Sequence, residues 1–245
     1  MAKSISSTKF YSMLVQATSL LESKMDEINA LNVFPVPDGD TGTNMFLTMK
    51  SIVDEIDGTG NAKPEEIIGL IARGSLLGAR GNSGVILAQF FQGIAKVLNG
   101  KSSFDSGLFS EALKEAKRSS YEAVGNPVEG TMLTVISDIE TAISANTSES
   151  DLVNLWEVMV TAARKSVANT PNLLPVLKEA GVVDSGGQGL CVLLEGAFHN
   201  LTGESNLDVP LVAPDIKISD QEILARFDFD DEHDEYGYCT QFLLK

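Results

Sequence analysis

From residue 8 to residue 201 the apolar side chains return at three- and four-residue steps, and short glycine-bearing turns cut the runs apart. That period belongs to helices with one buried face. Phe10, Leu14, Ala17, Leu21, Met25 and Ile28 set the first, over Thr8 to Leu31, and Met45, Phe46, Met49, Ile52, Val53 and Ile56 set the second. Pro64, suited to a first turn, opens a third that runs to about Gly78, and Val85 to Leu98 make the fourth. Ser106 reads as the N-cap of a fifth, stopped by Gly125-Asn126-Pro127, and Val128 to Met132 opens a sixth towards Ala145. Asp151 starts a seventh, with Leu152, Leu155, Trp156, Met159 and Ala163, which Pro171 ends near Thr170. A short helical turn spans Leu173 to Ala180, and Leu190 to Leu201 close the series. No strand alternation is sustained before residue 205, so the expected fold class is all-α with about eight helices over residues 1–203.

Past Gly203 the character changes. Pro210 and Pro214 interrupt a charged, loosely patterned stretch, so 204–245 reads as a partly extended acidic linker outside the helical core. Between Glu204 and Glu235 stand eleven acids and only Lys217 and Arg226 as bases, which places −9 of the chain's −16 net charge there. Glu235 to Lys245 alternate like a strand with no partner, so the 245 residues are expected to stop just inside a following domain. A charge of −16 argues against nucleic acid or an anionic membrane as the main partner. No apolar run approaches the about 20 residues that span a bilayer. The polar stretch Met1 to Phe10 does not resemble a secretory signal, and Cys191 and Cys239 give no disulfide framework. The expected compartment is the cytoplasm.

One stretch breaks the helical pattern: Leu31-Asn32-Val33-Phe34-Pro35-Val36-Pro37-Asp38-Gly39-Asp40-Thr41-Gly42-Thr43-Asn44-Met45. Its prolines hold the backbone extended on both sides of Val36 as far as Asp38. Asp38 and Asp40, with only Gly39 between them, can point two hard carboxylates at one place, which suits a divalent cation. Thr41, Thr43 and Asn44 follow at a helix start, whose free N–H groups suit phosphate. The same residues also fit a plain acidic turn in which Asp40 or Thr41 caps the helix. An EF-hand calcium loop is discarded, because position 12 from Asp38 is Met49 where a bidentate Glu is required.

Three more glycine-bearing turns precede helices, at residues 78–84, 125–131 and 181–189. With residues 36–44 they follow about the first, third, fifth and seventh long helices, and alternate connections of an up-and-down assembly lie at one end. The four are therefore expected to share a rim. That rim would offer carboxylates, the hydroxyls of Thr41, Thr43, Ser83, Thr131 and Ser185, the amides of Asn44 and Asn82, and backbone N–H groups, an inventory for a metal-bound polyphosphate. Taken singly, Gly81-Asn82-Ser83-Gly84 reads equally well as an ordinary helix-to-helix turn, and Gly186-Gly187-Gln188-Gly189 as close helix packing. The Walker, dinucleotide-binding and protein-kinase signatures are absent. His199 and His233 are the only histidines, which leaves a Ser-His-Asp triad without support and points to chemistry by positioning and charge neutralisation.

The stretch from Asn32 to Met45, together with Gly78-Ala79-Arg80-Gly81-Asn82-Ser83-Gly84 and Val183-Asp184-Ser185-Gly186-Gly187-Gln188-Gly189, closely resembles the N-terminal kinase domain of the bacterial fatty acid kinase A subunit. That domain is similar to the L subunit of dihydroxyacetone kinase. The resemblance covers about residues 5–203, and the tail resembles the linker and first strand of the same family's middle domain. It implies an eight-helix antiparallel up-and-down barrel with ATP and two magnesium ions at one rim. Asp38 and Asp40 match the metal ligands, and Asn32 stands nearest to a third acid of the dihydroxyacetone kinase pattern. Thr41 stands where that pattern has a histidine. Thr43 and Asn44 match phosphate contacts, Gly81, Asn82, Ser83 and Gly84 the loop over the phosphates, Thr131 and Met132 a position flanking base and ribose, and Asp184, Ser185 and Gly186 the loop closing over adenine. Cys239 falls near a cysteine associated with zinc in the middle domain, and a small apolar strand residue is an equal reading.

In that family the acceptor is a fatty acid whose carboxylate is presented by a separate DegV-like binding protein, and the product is an acyl phosphate. A carboxylate is already ionised at neutral pH, so the reaction needs no general base. Arg80 or a partner residue is a candidate for extra positive charge. Two other readings stay open: a kinase subunit for dihydroxyacetone or another small alcohol, and a nucleotide-binding regulatory module without catalysis. A homodimer formed through domains outside this stretch is a further expectation.

Overall fold

The computed structural model describes residues 3–146, 149–204 and 209–216. The described elements are, in order, β1 (Ser4–Ser6), α1 (Ser7–Ser23), α2 (Met25–Ala30), α3 (Thr41–Asp57), α4 (Pro64–Gly78), α5 (Gly81–Leu98), β2 (Ser103–Asp105), α6 (Ser106–Glu122), α7 (Met132–Ala145), α8 (Leu152–Leu173), α9 (Pro175–Ala180) and α10 (Ser185–Thr202). Eight helices are long, and α2 and α9 are six-residue pieces in connections. The all-α expectation holds, with one addition: β1 pairs antiparallel with β2, Ile5 opposite Phe104. Three-residue strands are too short to show as alternation, yet both central side chains are buried and Ser7 fastens the pair by donating to the carbonyls of Lys101 and Ser102.

The long helices pack as successive neighbours from α3 to α10, and α10 returns against α1 to close the ring. Each contributes a buried stripe, such as Met13, Ala17, Leu20 and Leu21 of α1 or Leu155, Met159 and Ala163 of α8, and each buried Leu or Met contributes about 2 kcal/mol. The interior is a packed core rather than a pore: Leu14, Met49, Leu87, Met159 and Leu190 surround a void of only about 30 Å³. At the end where α1, α6 and α8 begin, Phe104 stacks on Phe109 and Phe109 on Trp156, at centroid distances of 5.4 and 5.2 Å, with Phe10 edge-on to Phe104 at 5.5 Å. Helices α1, α4, α6 and α8 run away from that end or its neighbourhood and finish at the opposite rim, where α3, α5, α7 and α10 start.

Several boundaries differ from expectation for local reasons. The first helix breaks at Lys24 instead of running to Leu31, where the start of α3 comes so near that a Cβ at Gly42 would lie 2.4 Å from the carbonyl of Met25. Asp105, not Ser106, caps α6, accepting from the N–H of Leu108 at 2.9 Å. Pro171 does not end α8, because the hydroxyl of Thr170 takes the Val167 carbonyl at 2.7 Å that the missing N–H leaves open. Two presumed glycine turns are helix: Gly81 to Gly84 form the first turn of α5, and Gly186 to Gly189 lie in α10. In the latter, glycines admit neighbours, since a Cβ at Gly189 would meet Met45 Sδ at 2.5 Å.

The expected linker begins on the body rather than off it. Val209 is buried, Val212 N–H donates to Gln188 Oε1 at 3.0 Å, and Asp215 N–H donates to the Ala168 carbonyl at 2.8 Å. Segment 209–216 thus lies along α8 and α10. The strand expected over 235–245, Cys239 and His233 fall outside the described residues.

Candidate functional site

The rim where α3, α5, α7 and α10 start surrounds a cleft of about 530 Å³. All four connections line it: Asn32 to Thr41, Gly81 to Ser83, Ala123 to Met132, and Asp184 to Gly186 each contribute. A cleft of that volume accommodates a nucleotide-sized ligand. Of the residues singled out in the sequence, Asn32, Asp38, Asp40, Thr41, Gly81, Asn82, Ser83, Thr131, Met132, Asp184, Ser185 and Gly186 line it.

The other three stand behind its wall. Thr43 is bound to α2, its N–H donating to Asn29 Oδ1 at 3.1 Å and its hydroxyl accepting from Asn29 Nδ2 at 3.0 Å. Asn44 lies behind Gly81, whose φ of +56° only glycine adopts readily and where a Cβ would meet Asn44 Nδ2 at 2.4 Å. Gly84 packs on Thr48, whose hydroxyl also reaches the Gly78 carbonyl at 3.3 Å.

Asp38 and Asp40 sit on either side of Gly39, whose φ is +66°. Asp40 occupies the N-cap of α3, but its carboxylate takes no capping hydrogen bond, so it does not serve as a plain helix cap. Asp38 is held: Asn32, only 7% exposed, donates Nδ2 to Asp38 Oδ1 at 2.6 Å and to the Val36 carbonyl at 3.2 Å. The oxygen of the Asn32 amide faces Ser185, whose hydroxyl lies 3.5 Å from it and donates to Thr41 Oγ1 at 3.1 Å. Asn32 therefore turns its nitrogen, not its oxygen, towards the acid.

Helix starts differ in how their N–H groups are used. The caps of α3, α5 and α7 are Asp40, Arg80 and Thr131, and none makes a side-chain capping bond. Apart from the N–H groups of Thr43 and Met132, which Asn29 and Asp184 take, their first-turn donors and their dipoles remain available to an anion in the cleft. At α10, by contrast, Asp184 accepts from Gly187 N–H at 2.6 Å, and it also accepts from the backbone of Met132, so one buried carboxylate ties the starts of α7 and α10 together. Burial pushes its carboxyl up to about 6. Its own N–H donates to Thr170 at 3.0 Å, which adds the end of α8 to the same joint.

The donor set fits magnesium held jointly with phosphate. Among the described residues no group of three or more His, Cys, Asp or Glu side chains converges on a point. Two adjacent carboxylates on the same cleft as the starts of α3, α5 and α7 suit a hard ion that takes its other ligands from phosphate and water. Apolar residues complete the walls, among them Phe34, Val36, Val85, Ile86, Val124 and Val128. Sequence alone does not mark these residues, because apolar side chains in turns and helix starts carry no chemical signature of their own. No described helix is long and apolar enough to cross a membrane.

A closed ring of eight long helices with a cleft at one rim defines the class, and comparison with known proteins agrees. The model for the DAK2 domain matches residues 35–199. The chain belongs to the DAK2 domain family. It is 40% identical, over its whole length, to uncharacterized proteins of Staphylococcus aureus strains USA300 and MRSA252. It spans 45% of the length of these curated relatives. Among solved structures, the native form of the dihydroxyacetone kinase of C. freundii aligns over 76% of this chain and 33% of that one, at 18% identity and a TM-score of 0.55, a likeness of fold.

Proposed function

We propose that this chain is the ATP- and magnesium-dependent kinase domain of a fatty acid kinase, transferring the γ-phosphoryl group to a fatty acid carboxylate presented by a DegV-like binding protein. The observation that carries the proposal is the convergence of the Asp38–Asp40 pair and the starts of α3, α5 and α7, none capped by its own N-cap side chain, on one cleft. Helix-start donors there would cradle the triphosphate, while the two acids would hold up to two magnesium ions against it. The ions would offset the repulsion between an anionic acceptor and the phosphoryl group. What this chain supplies is position: Asn32 fixes Asp38, and Asp184 locks the α7 and α10 edge against which the base and ribose would lie.

The acidic and basic side chains lining the cleft are Asp38, Asp40 and Asp184. None suits proton removal from an alcohol, since two would be engaged by the metal and the third is buried at a helix joint. A carboxylate acceptor needs no such base, which favours it over dihydroxyacetone, the substrate of the solved kinase whose fold this chain resembles. The test is to supply ATP and magnesium with either a DegV-like protein loaded with oleic acid or dihydroxyacetone, and to follow phosphoryl transfer. Acyl phosphate formation, abolished by Asp38→Ala or Asp40→Ala at unchanged melting temperature, is the expected result. Turnover only with dihydroxyacetone, or nucleotide binding without turnover, replaces the reading with a small-alcohol kinase or a regulatory module.

A further inference from the structure

Segment 209–216 forms no helix or strand, yet its backbone is held at several points by the helical body. Arg164 Nη2 donates to the Pro210 carbonyl at 3.3 Å, and Val212 N–H donates to Gln188 Oε1 at 3.0 Å. Asp215 N–H donates to the Ala168 carbonyl at 2.8 Å, and Asn172 Nδ2 donates to the Asp215 carbonyl at 2.6 Å. Val209 is buried, and Leu211 and Val212 pack against the core. These contacts set a direction: the segment runs with α8, from Arg164 to Asn172, and against α10, from Glu195, the ion-pair partner of Arg164, to Gln188. It therefore reaches the rim that carries the cleft. The groove is shaped for an extended chain. Gln188 is fully buried on α10, where a side-chain amide is costly without a partner, and the segment's backbone supplies one. Pro171 opens the last turns of α8, where the Ala168 carbonyl accepts from Asp215.

The same two helix ends carry one edge of the cleft. Thr170, between Ala168 and Asn172, accepts the N–H of Asp184 at 3.0 Å, and the N–H of Gln188 donates to the Asp184 carbonyl at 2.9 Å. Asp184, Ser185 and Gly186 line the cleft, whereas no residue of 209–216 does. We propose that 209–216 is a strap that clamps the end of α8 to the start of α10 and is thereby coupled to ligand binding in the cleft, an inference that rests on the nucleotide reading above. With the strap seated, the Asp184–Gly186 edge is held ready for the nucleotide; with the strap detached, that edge loosens and the nucleotide must order it. Gln188 is then a positioning residue, acting through Asp184 without touching the nucleotide. Coupling of this kind is reciprocal, so a nucleotide in the cleft tightens the strap by the factor that the strap adds to nucleotide affinity. Residues 217–245 continue directly from the strap, which makes it the covalent route from that part of the chain to the cleft.

The test uses the full-length polypeptide with magnesium and a non-hydrolysable ATP analogue. Hydrogen exchange of peptides covering 209–216 is followed with and without the nucleotide, and nucleotide affinity is measured for wild type, the Val209→Asp, Val212→Asp double variant and Asn172→Ala. The nucleotide should slow exchange in 209–216 about tenfold and leave 103–105, at the other end of the ring, unchanged. The double variant, with its strap exchanging like an open chain, should bind the nucleotide about tenfold more weakly, the same factor. Asn172→Ala, which removes a single tie to Asp215, should shift both readouts the same way by less, and it decides the matter alone if the double variant does not fold. If wild type binds the nucleotide but strap exchange ignores it, or a detached strap leaves affinity unchanged, the coupling is wrong and the nucleotide reading stands. If wild type binds no nucleotide, the reading of the cleft falls and takes the coupling with it.

Discussion

Asn32 holds Asp38 through a 2.6 Å hydrogen bond from Nδ2 to Oδ1, inside a web that also includes Val36, Ser185 and Thr41. The acid is therefore aimed by a buried neighbour rather than left to the turn. Asn32→Ala is expected to raise the magnesium concentration for half-maximal turnover about tenfold, in line with other groups that orient metal ligands. Stability should fall by only about 1 kcal/mol. A magnesium titration of turnover in wild type and variant checks both parts, and an unchanged midpoint would remove Asn32 from the site.

Asp184 predicts a pH dependence of stability. Its carboxyl rises from the usual 3.8 to about 6 because burial penalises the charge. The native state then binds the proton more tightly than the unfolded chain does, so this stability is present in full below the unfolded value and is lost as pH rises through about 6. The loss amounts to about 3 kcal/mol. Asp184→Asn, which keeps an oxygen to accept from Gly187 or Met132, should flatten the decline between pH 4 and 6, measured by urea unfolding along a pH series.

Arg164 and Glu195 form an ion pair at 2.7 Å between α8 and α10, with the glutamate side chain only 5% exposed. Burial holds the Glu195 carboxyl above the usual range, and Arg164 partly offsets it. Removing the arginine alone strands a buried acid, so Arg164→Leu should cost about 3 kcal/mol. The double variant Arg164→Leu, Glu195→Leu should recover most of that loss. Chemical denaturation of the three proteins measures the coupling.

Gly93 marks where α5 and α6 touch backbone to backbone. A Cβ there would lie 2.3 Å from Ala116 Cα and 2.4 Å from the Glu115 carbonyl oxygen. Gly93→Ala must push the helices apart and is expected to cost about 3 kcal/mol. Because the contact is not part of the cleft, the folded fraction should keep wild-type nucleotide affinity. Thermal melting and a binding titration on the same sample test this.

How far the sequence disclosed the molecule can be judged from these residues. The eight long helices were legible because each buries one stripe at helical spacing, and Pro64 began α4 as expected. Boundaries were less legible where a tertiary partner decides them: Thr170 rescues the carbonyl that Pro171 leaves open, and the tight entry of α3 accompanies the break at Lys24. In the site, polar character located the four connections correctly. It could not separate Asp38, which faces the cleft, from Thr43, which binds Asn29, because both are short polar residues beside a glycine. For the glycines of α10, turn and close helix packing read alike, since a single chain does not reveal that Met45 and Val135 need the space. Segment 209–216 read as a free linker because its anchors, Gln188 and Ala168, are far away in sequence.

The central claim is that the paired acids and the helix starts around them bind one ligand, a magnesium–triphosphate, in the cleft. Titrating ATP into wild type and into the Asp38→Ala, Asp40→Ala double variant, with and without magnesium, tests it most directly. Wild type should bind ATP at least about 100-fold more tightly with magnesium than without, a coupling of about 3 kcal/mol. The double variant should lose that gain while keeping its melting temperature. ATP affinity that ignores magnesium in wild type, or a magnesium gain that survives in the double variant, would contradict the account.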